Sequence, residues 1–260
     1  MKQVIITILL ALVAISGQAQ KVVLHMAGNK TFECSVSQLD SITFEDDGFI
    51  IVDEHEWVDL GLPSGTLWAT CNVGANYPEE YGNYFAWGET EPKEEYIWET
   101  YTLCEGDYNV LTKYCFDNSY GYNGFTDGLT ELLPEDDAAT SNWGSGWQMP
   151  SLDQLSELIN STYTIRTLTE QNGVKGLQIK SRTNGESVFL PAAGFVQGGN
   201  PRAGFSGYYW SRSLGTRGYT DEGGFLSFYG SDDDSSNYIG TSCSVRYTGH
   251  SIRPVRVKTR

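Results

Sequence analysis

One amphipathic helix is the element that the pattern of hydrophobic and polar positions predicts most sharply. Its apolar positions recur every three or four residues: Leu152, Leu155, Leu158 and Ile159. Ser151 precedes them as a helix cap, and Gln154 follows three residues later, which is the spacing of a capping box. Since most of the remaining chain has the pattern of strand and turn, we expect this helix to pack its apolar face on a sheet.

Short apolar runs broken by turn residues predict strands along most of the chain. Residues 177–179 and 188–190 flank Asn184 and Gly185, which predicts a β-hairpin. Further strands are expected at residues 208–210, 225–228 and 251–257. Between residues 76 and 137 the pattern loses its regularity, and Tyr, Glu, Gly and Asp are abundant. A loop region of this length is usually either functional or held together by its own aromatic side chains.

The amino terminus has the pattern of a secretory signal peptide. Lys2 supplies a positive charge, residues 4–15 form an apolar run, and Gly17 and Ala19 are the small residues that precede a cleavage site. The apolar run is shorter than the ~20 residues that a membrane-spanning helix needs. We therefore expect residues 1–19 to be removed and the protein to be exported to the periplasm, the cell surface or the medium, without membrane insertion.

The exported chain is predicted to contain a small module and a main domain. Residues 20–47 are expected to form a β module with strands at 22–24, 31–34 and 41–44. Residues 48–55 serve as a connector in this interpretation, with one further apolar run at 49–52. The main domain then occupies residues 56–260, which is long enough to bury its own hydrophobic core.

Charge and cysteine content exclude several classes of function. The chain carries 33 acidic and 17 basic residues for a net charge of −16, which disfavours nucleic acid and anionic lipid because both require clustered Lys and Arg. The five cysteines lack the spacing of a zinc site. Cys104 and Cys115 are close enough in sequence for a disulfide that closes a loop, and the sequence leaves this pairing open.

Seven segments in order resemble one family of exported proteins, the Fibrobacter succinogenes major paralogous domain. They are residues 57–69, 81–89, 135–139, 143–158, 189–194, 207–211 and 251–255. The resemblance extends over roughly 200 residues, and it includes the small module at residues 21–47 that such proteins often carry. The family has no established general activity, so the resemblance bears on architecture more than on chemistry.

The resemblance implies an α+β, C-type-lectin-like fold. Such a fold has irregular, mostly antiparallel sheets, one or two short helices and long loops, here preceded by the small β module. Its first and last strands pair, which would join residues 57–60 to residues 251–257. In the last strand we expect Arg253 and Arg256 to lie at an edge or to face solvent. Five tryptophans are expected to anchor the core and loops: Trp68, Trp87, Trp143, Trp147 and Trp210.

Calcium is one candidate ligand, because lectins of this fold often hold sugar through a bound Ca²⁺. Their Glu-Pro-Asn motif is spoiled here by Lys93, which follows Glu91 and Pro92. Asp136 and Asp137 supply a better cluster of oxygen ligands, and residues 232–234, all Asp, supply another. The alternative for both clusters is a solvated turn or a helix cap.

Aromatic recognition without metal is a second candidate. Six tyrosines could form an exposed stacking platform beside acidic hydrogen-bond acceptors: Tyr81, Tyr84, Tyr120, Tyr122, Tyr208 and Tyr209. Such a platform would suit a glycan or a surface protein, since tyrosine supplies a large and rigid contact area. The alternative is that these tyrosines pack the long loops.

Catalysis has little support, and no catalytic residue is assigned. The chain lacks Gly-x-Ser-x-Gly, His-Glu-x-x-His and phosphate-loop motifs. The enzyme variant of this fold that oxidises a sulfatase cysteine needs a close pair of late cysteines, whereas only Cys243 lies late in this chain.

The sequence thus predicts an exported binding or adhesion domain for a glycan or surface protein. A structural subunit of a cell-surface or pilus-like assembly is the alternative, and a glycan-active enzyme is the least favoured interpretation.

Overall fold

The chain folds into two compact units, Met1–Glu56 and Trp57–Arg260. The computed structural model describes residues 21–26, 30–35, 42–44, 50–52, 55–215, 218–230 and 237–257. The predicted signal peptide and the Asp cluster at residues 232–234 lie outside the described residues.

The described residues of the first unit form two antiparallel strand pairs. β1 (Lys21–Met26) pairs with β2 (Lys30–Ser35), and β3 (Ile42–Phe44) pairs with β4 (Ile50–Val52). Strands therefore form where the apolar runs of this segment predict them.

Three strands from opposite ends of the second unit form one sheet. β5 (Trp57–Asp59) and β15 (Val255–Val257) both pair antiparallel with β6 (Thr66–Ala69), in the order β15-β6-β5. The prediction that the first and last strands pair directly is therefore wrong. A turn between Leu62 and Gly65, closed by a 2.9 Å hydrogen bond from the Gly65 amide, returns β6 alongside β5. The four residues of β6 are all buried, and its free edge then receives β15.

The second sheet contains the predicted hairpin. β8 (Val174–Ser181) pairs with β9 (Ser187–Pro191), placing Leu177 opposite Leu190 and Ile179 opposite Val188. β7 (Thr164–Gln171) pairs with the other edge of β8.

The third sheet has the strand order β12-β13-β14, with β12 at Ser206–Leu214, β13 at Glu222–Tyr229 and β14 at Tyr238–Val245. The predicted strands at residues 208–210 and 225–228 are confirmed. A short pair, β10 (Val196–Gln197) and β11 (Asn200–Pro201), precedes them. The second unit is thus an α+β structure of small antiparallel sheets with two short helices, α1 (Ala138–Trp143) and α2 (Leu152–Leu158).

The predicted amphipathic helix is α2. Ser151 Oγ accepts a hydrogen bond from the Gln154 amide at 3.1 Å, and Gln154 Oε1 accepts one from the Ser151 amide at 2.8 Å. Leu155 and Leu158 are fully buried in a core formed with residues of all three larger sheets.

No helix in the described part of the chain is long and apolar enough to cross a membrane.

A buried arginine corrects the expectation for the last strand. Arg253 is fully buried, so the prediction that it faces solvent or lies at an edge is wrong. Its guanidinium donates to Asn72 Oδ1 at 2.8 Å and to the carbonyl oxygens of Ala69, Thr70 and Phe189. Arg253 therefore binds together chain segments that are distant in sequence. Arg256, which is partly exposed, lies 5.6 Å from the ring centre of Trp147.

Aromatic side chains fill the core beneath the long loops. Trp87, Tyr114 and Trp210 are fully buried together, and a neighbouring cluster contains Tyr96 and Tyr101. Four of the five predicted tryptophan anchors, all except the partly buried Trp143, have at most 2% of their surface exposed. The irregular region between residues 76 and 137 is therefore held in part by its own aromatic rings.

Candidate functional site

Residues 103–129 form a loop region that is held by backbone pairing and by one carboxylate. The Leu111 amide donates to the Tyr120 carbonyl and the Tyr122 amide to the Leu111 carbonyl, both at 2.8 Å. The Asp127 carboxylate accepts hydrogen bonds from the amides of Tyr114, Cys115 and Leu129. Because both ends of this segment are fixed, side chains on its outer side have defined positions.

Exposed aromatic side chains are concentrated on this loop region and on the segment that precedes β13. We use the name aromatic loop surface for Tyr108, Phe116, Tyr120 and Tyr219. The Tyr108 and Tyr120 rings meet edge to face with centroids 5.9 Å apart. The Phe116 amide donates to Thr220 Oγ1 at 3.2 Å, which ties the backbone of the loop region to the segment that contains Tyr219. Tyr108, Phe116 and Tyr219 expose 46%, 42% and 52% of their surface.

Acidic groups lie beside these rings. Hydrogen bonds from the amide and hydroxyl of Ser119 lower the pKa of Asp117, which keeps this carboxylate ionised. Loss of solvation raises the pKa of Tyr120, and the nearby charge of Asp221 adds to this effect. The surface therefore presents ring faces, a protonated phenol as a donor and a carboxylate as an acceptor at neutral pH.

A second buried arginine supports the aromatic loop surface from below. Arg246 is fully buried and donates to the carbonyl oxygens of Lys113, at 3.0 Å, and Tyr114. Its guanidinium lies 4.9 Å from the ring centre of Trp87. Burial lowers the pKa of Arg246, while nearby Tyr101 opposes this shift. Arg246 could not be identified from the sequence, because no local pattern marks an arginine that binds distant carbonyl groups.

The structure separates the six tyrosines that were proposed as one platform. Tyr120 belongs to the aromatic loop surface, and the exposed Tyr122 follows it after one residue. Tyr84 and Tyr209 instead anchor the fold: their hydroxyls donate at 2.6 Å to the carbonyls of Ala193 and Pro191 respectively. Burial raises the pKa of Tyr84 to about 12. Tyr209 is fully buried on β12, so the prediction that it is exposed is wrong.

The remaining two tyrosines lie outside this surface. Tyr81 is partly exposed, and its carbonyl accepts a hydrogen bond from the Asn72 side chain at 3.0 Å. The ring of Tyr208 packs against Phe195, Phe225 and His250 at centroid distances between 5.0 and 5.5 Å. The Tyr208 ring therefore packs against other side chains of the fold.

The two carboxylates proposed for calcium have separate structural partners. Asp137 is buried and caps α1 through a 3.0 Å bond from the Thr140 amide, and it also accepts the Met149 amide at 2.8 Å. Burial raises the pKa of Asp137, and these backbone hydrogen bonds oppose the shift. The Asp136 carboxylate accepts hydrogen bonds from the Lys113 ammonium and the Tyr114 hydroxyl.

This arrangement does not fit Ca²⁺, which takes six to eight oxygen ligands. One carboxylate is neutralised by a lysine, and the other is engaged by backbone amides. Among the residues that the structure describes, no group of three or more His, Cys, Asp or Glu side chains is arranged to hold a metal ion.

Cys104 and Cys115 are both buried free thiols, so the disulfide that the sequence left open between them does not form. Cys115 Sγ donates to the Asp117 carbonyl at 3.1 Å, whereas Cys104 Sγ lies 3.4 Å from the carbonyls of Trp98 and Tyr101. The thiols thus contact different parts of the loop.

Comparisons with protein-family models, with curated proteins and with solved structures found no match to this chain.

Proposed function

We propose that this protein is an exported binding domain with a C-type-lectin-like fold, which recognises a glycan through the aromatic loop surface. The observation that carries the proposal is the concentration of exposed Tyr108, Phe116 and Tyr219 on loops that are fixed from below. Rigid loops that project from a packed scaffold are a common location of binding residues.

The sequence pattern supports the fold and the export of the protein in this proposal. The seven segments resemble a family of exported proteins with this fold, and residues 1–19 have the pattern of a secretory signal. A short helix that packs on small antiparallel sheets, with a long loop region between β6 and α1, is compatible with such a domain.

A glycan fits the chemistry of the aromatic loop surface. Aromatic faces pack against the apolar face of a sugar ring, while hydroxyl groups require both donors and acceptors. Tyr120 supplies a protonated phenol and Asp117 an ionised carboxylate beside the rings. Because Asp136 and Asp137 are engaged elsewhere, this recognition requires no calcium.

A surface protein is the second candidate, and the presence of Phe116 favours it. A phenylalanine has no hydroxyl, and exposed phenylalanine and tyrosine rings also form the centre of protein interfaces. Among the residues that the structure describes, no specific contact favours a structural subunit or a glycan-active enzyme.

A glycan array separates the two candidates. The secreted chain, residues 20–260, is applied once with calcium and once with EDTA. We expect binding to a defined subset of glycans at equal strength in both conditions. Binding only with calcium would contradict the metal-free account. Absence of binding to any glycan would contradict glycan recognition and favour the surface protein.

A further inference from the structure

A groove of about 300 Å³ lies at the opposite end of β13 from the aromatic loop surface. Its lining includes Leu168 and Glu170 on β7, Lys175 on β8, Phe205 before β12, Phe228 on β13 and the backbone of Gly230. Asp221 and Thr220 immediately precede β13, whereas Gly230 follows it. Eight residues of strand, or about 25 Å, separate the two regions, so the groove is independent of the proposed function.

The floor of the groove is apolar and closely packed. Phe228 is 1% exposed and belongs to the main core, against which Leu168 packs. Gly230 passes directly over Leu168, since a Cβ atom added to Gly230 would lie 2.6 Å from Leu168 Cδ1. A larger residue at position 230 would therefore push into the groove wall. This close approach fixes the junction between the β7-β8-β9 and β12-β13-β14 sheets.

Phe205 supplies an exposed aromatic wall. It is 77% exposed, the highest value among the large hydrophobic side chains for which exposure is described. Gly204 has a positive φ of 95°, and its amide donates to the Ala192 carbonyl at 2.7 Å, which fixes the turn that presents Phe205. A ligand that covers this ring would remove apolar surface from water, which is favourable.

The rim of the groove carries two opposite charges side by side. Glu170 and Lys175 are directly opposite each other in the β7–β8 register, and Glu170 shares its face of β7 with Leu168. The two side chains place a carboxylate acceptor and an ammonium donor next to an apolar floor. A neutral ligand with several hydroxyl groups can use both, whereas the net charge of −16 would repel an anion.

We propose that this groove binds one neutral pyranose ring of a saccharide. Phe205 packs against the apolar face of the ring, Glu170 accepts and Lys175 donates hydrogen bonds to its hydroxyls, and Phe228 and Leu168 form the floor. The volume is at the lower end of the range for ligand pockets, about 300–1,000 Å³, which suits a single sugar unit and excludes a long oligomer.

The test is an amide NMR titration of the secreted chain, residues 20–260. The probes are the methyl glycosides of glucose, galactose, mannose and N-acetylglucosamine, each added to about 50 mM so that millimolar affinity is detected. We expect at least one of them to shift the amide signals of Gly176, Phe205 and Gly230. No shift of these amides with any of the four glycosides would overturn the proposal.

Three variants show whether the side chains act as proposed. Phe205→Ala is expected to weaken binding about tenfold, the loss of one aromatic contact. Glu170→Gln is expected to weaken it several-fold while keeping the shape of the side chain. Ile165→Ala is the control, because Ile165 is an exposed apolar residue of the same strand outside the groove lining. Equal affinity of Phe205→Ala and Ile165→Ala would refute the groove as the site.

The NMR titration distinguishes sugar binding in the groove from sugar binding on the aromatic loop surface. Shifts confined to the amides of Tyr108, Tyr120 and Tyr219 would place the sugar on the aromatic loop surface and overturn the groove proposal. Shifts confined to the groove would do the reverse.

Discussion

The ring of Tyr108 meets the ring of Tyr120 edge to face, with an interplanar angle of 66° and centroids 5.9 Å apart. This ring contact joins two parts of the loop region through their side chains. The backbone hydrogen bond from the Leu111 amide to the Tyr120 carbonyl joins the same two parts through the main chain. An edge-to-face pair fixes the orientation of both rings. Ligand recognition by this surface therefore begins from rings that are already positioned.

Replacing Arg253 with methionine is expected to destabilise the fold by about 3 kcal/mol or more. The substitution keeps an apolar stem of similar length but leaves Asn72 Oδ1 and three buried carbonyl oxygens without their donor. The free energy of unfolding is measured by urea titration. Lys180→Met, at an exposed position, is the control and should change stability by about 0.5 kcal/mol or less. Equal stability of the two variants would show that the Arg253 bonds contribute nothing.

Asp137→Ala is expected to lower the free energy of unfolding by about 2–4 kcal/mol, because it removes the cap of α1 and leaves the buried Met149 amide without an acceptor. Asp137→Asn should cost less, since an amide oxygen can still accept one of these bonds. Asp153→Ala, in the first turn of α2 and exposed, serves as the control with an expected loss below about 1 kcal/mol. Thermal unfolding of the three variants measures the difference. If Asp137→Ala and Asp153→Ala unfold at the same temperature, Asp137 does not stabilise the fold as described.

His250 is expected to make the fold sensitive to acid. Its ring stacks on Trp210 at 3.9 Å between centroids, and its Nδ1 has no hydrogen-bond partner among the described residues. Burial lowers the pKa of His250 to about 3. Below about pH 6.5 the unfolded chain therefore binds a proton that the folded chain does not, and stability falls as pH decreases from 6.5 towards 3.

The measurement compares wild type with His250→Phe, which keeps an aromatic ring but cannot titrate. From about pH 6.5 down to about pH 4.5, the wild-type free energy of unfolding should fall more steeply, by up to about 1.4 kcal/mol per pH unit. At about pH 7.5, where histidine is neutral in both states, the difference between the two proteins should no longer depend on pH. Parallel curves throughout the acid range would contradict this account.

Local signals in the sequence predicted α2 and the β8–β9 hairpin correctly. The capping box at Ser151 and the turn at Asn184 and Gly185 act over a few residues, so they can be read without tertiary structure. The many short strands left a β or an α+β fold open. The resemblance to a family of exported proteins implied the α+β class, which the structure has.

Long-range contacts account for the predictions that failed. Arg253 looked solvent-facing because its charge is visible in the sequence, whereas the carbonyl groups that surround it come from residues 69, 70 and 189. Likewise, β6 lies between β5 and β15 because a turn after β5 returns the chain alongside it. The expected pairing considered only the first and last strands and therefore missed β6. For the candidate site, composition identified Tyr120 and Tyr122 but could not separate them from the buried Tyr209.

A single array experiment decides whether the aromatic loop surface binds a glycan, as we propose. Wild type, the double variant Tyr120→Ala/Tyr219→Ala and the control Tyr77→Ala are applied to the same glycan array. Tyr77 lies on a separate turn and is at least as exposed as Tyr219, at 63% against 52%. We expect the double variant to lose at least about tenfold in affinity, with Tyr77→Ala unchanged. Equal binding by all three proteins, or binding by none, would contradict the claim.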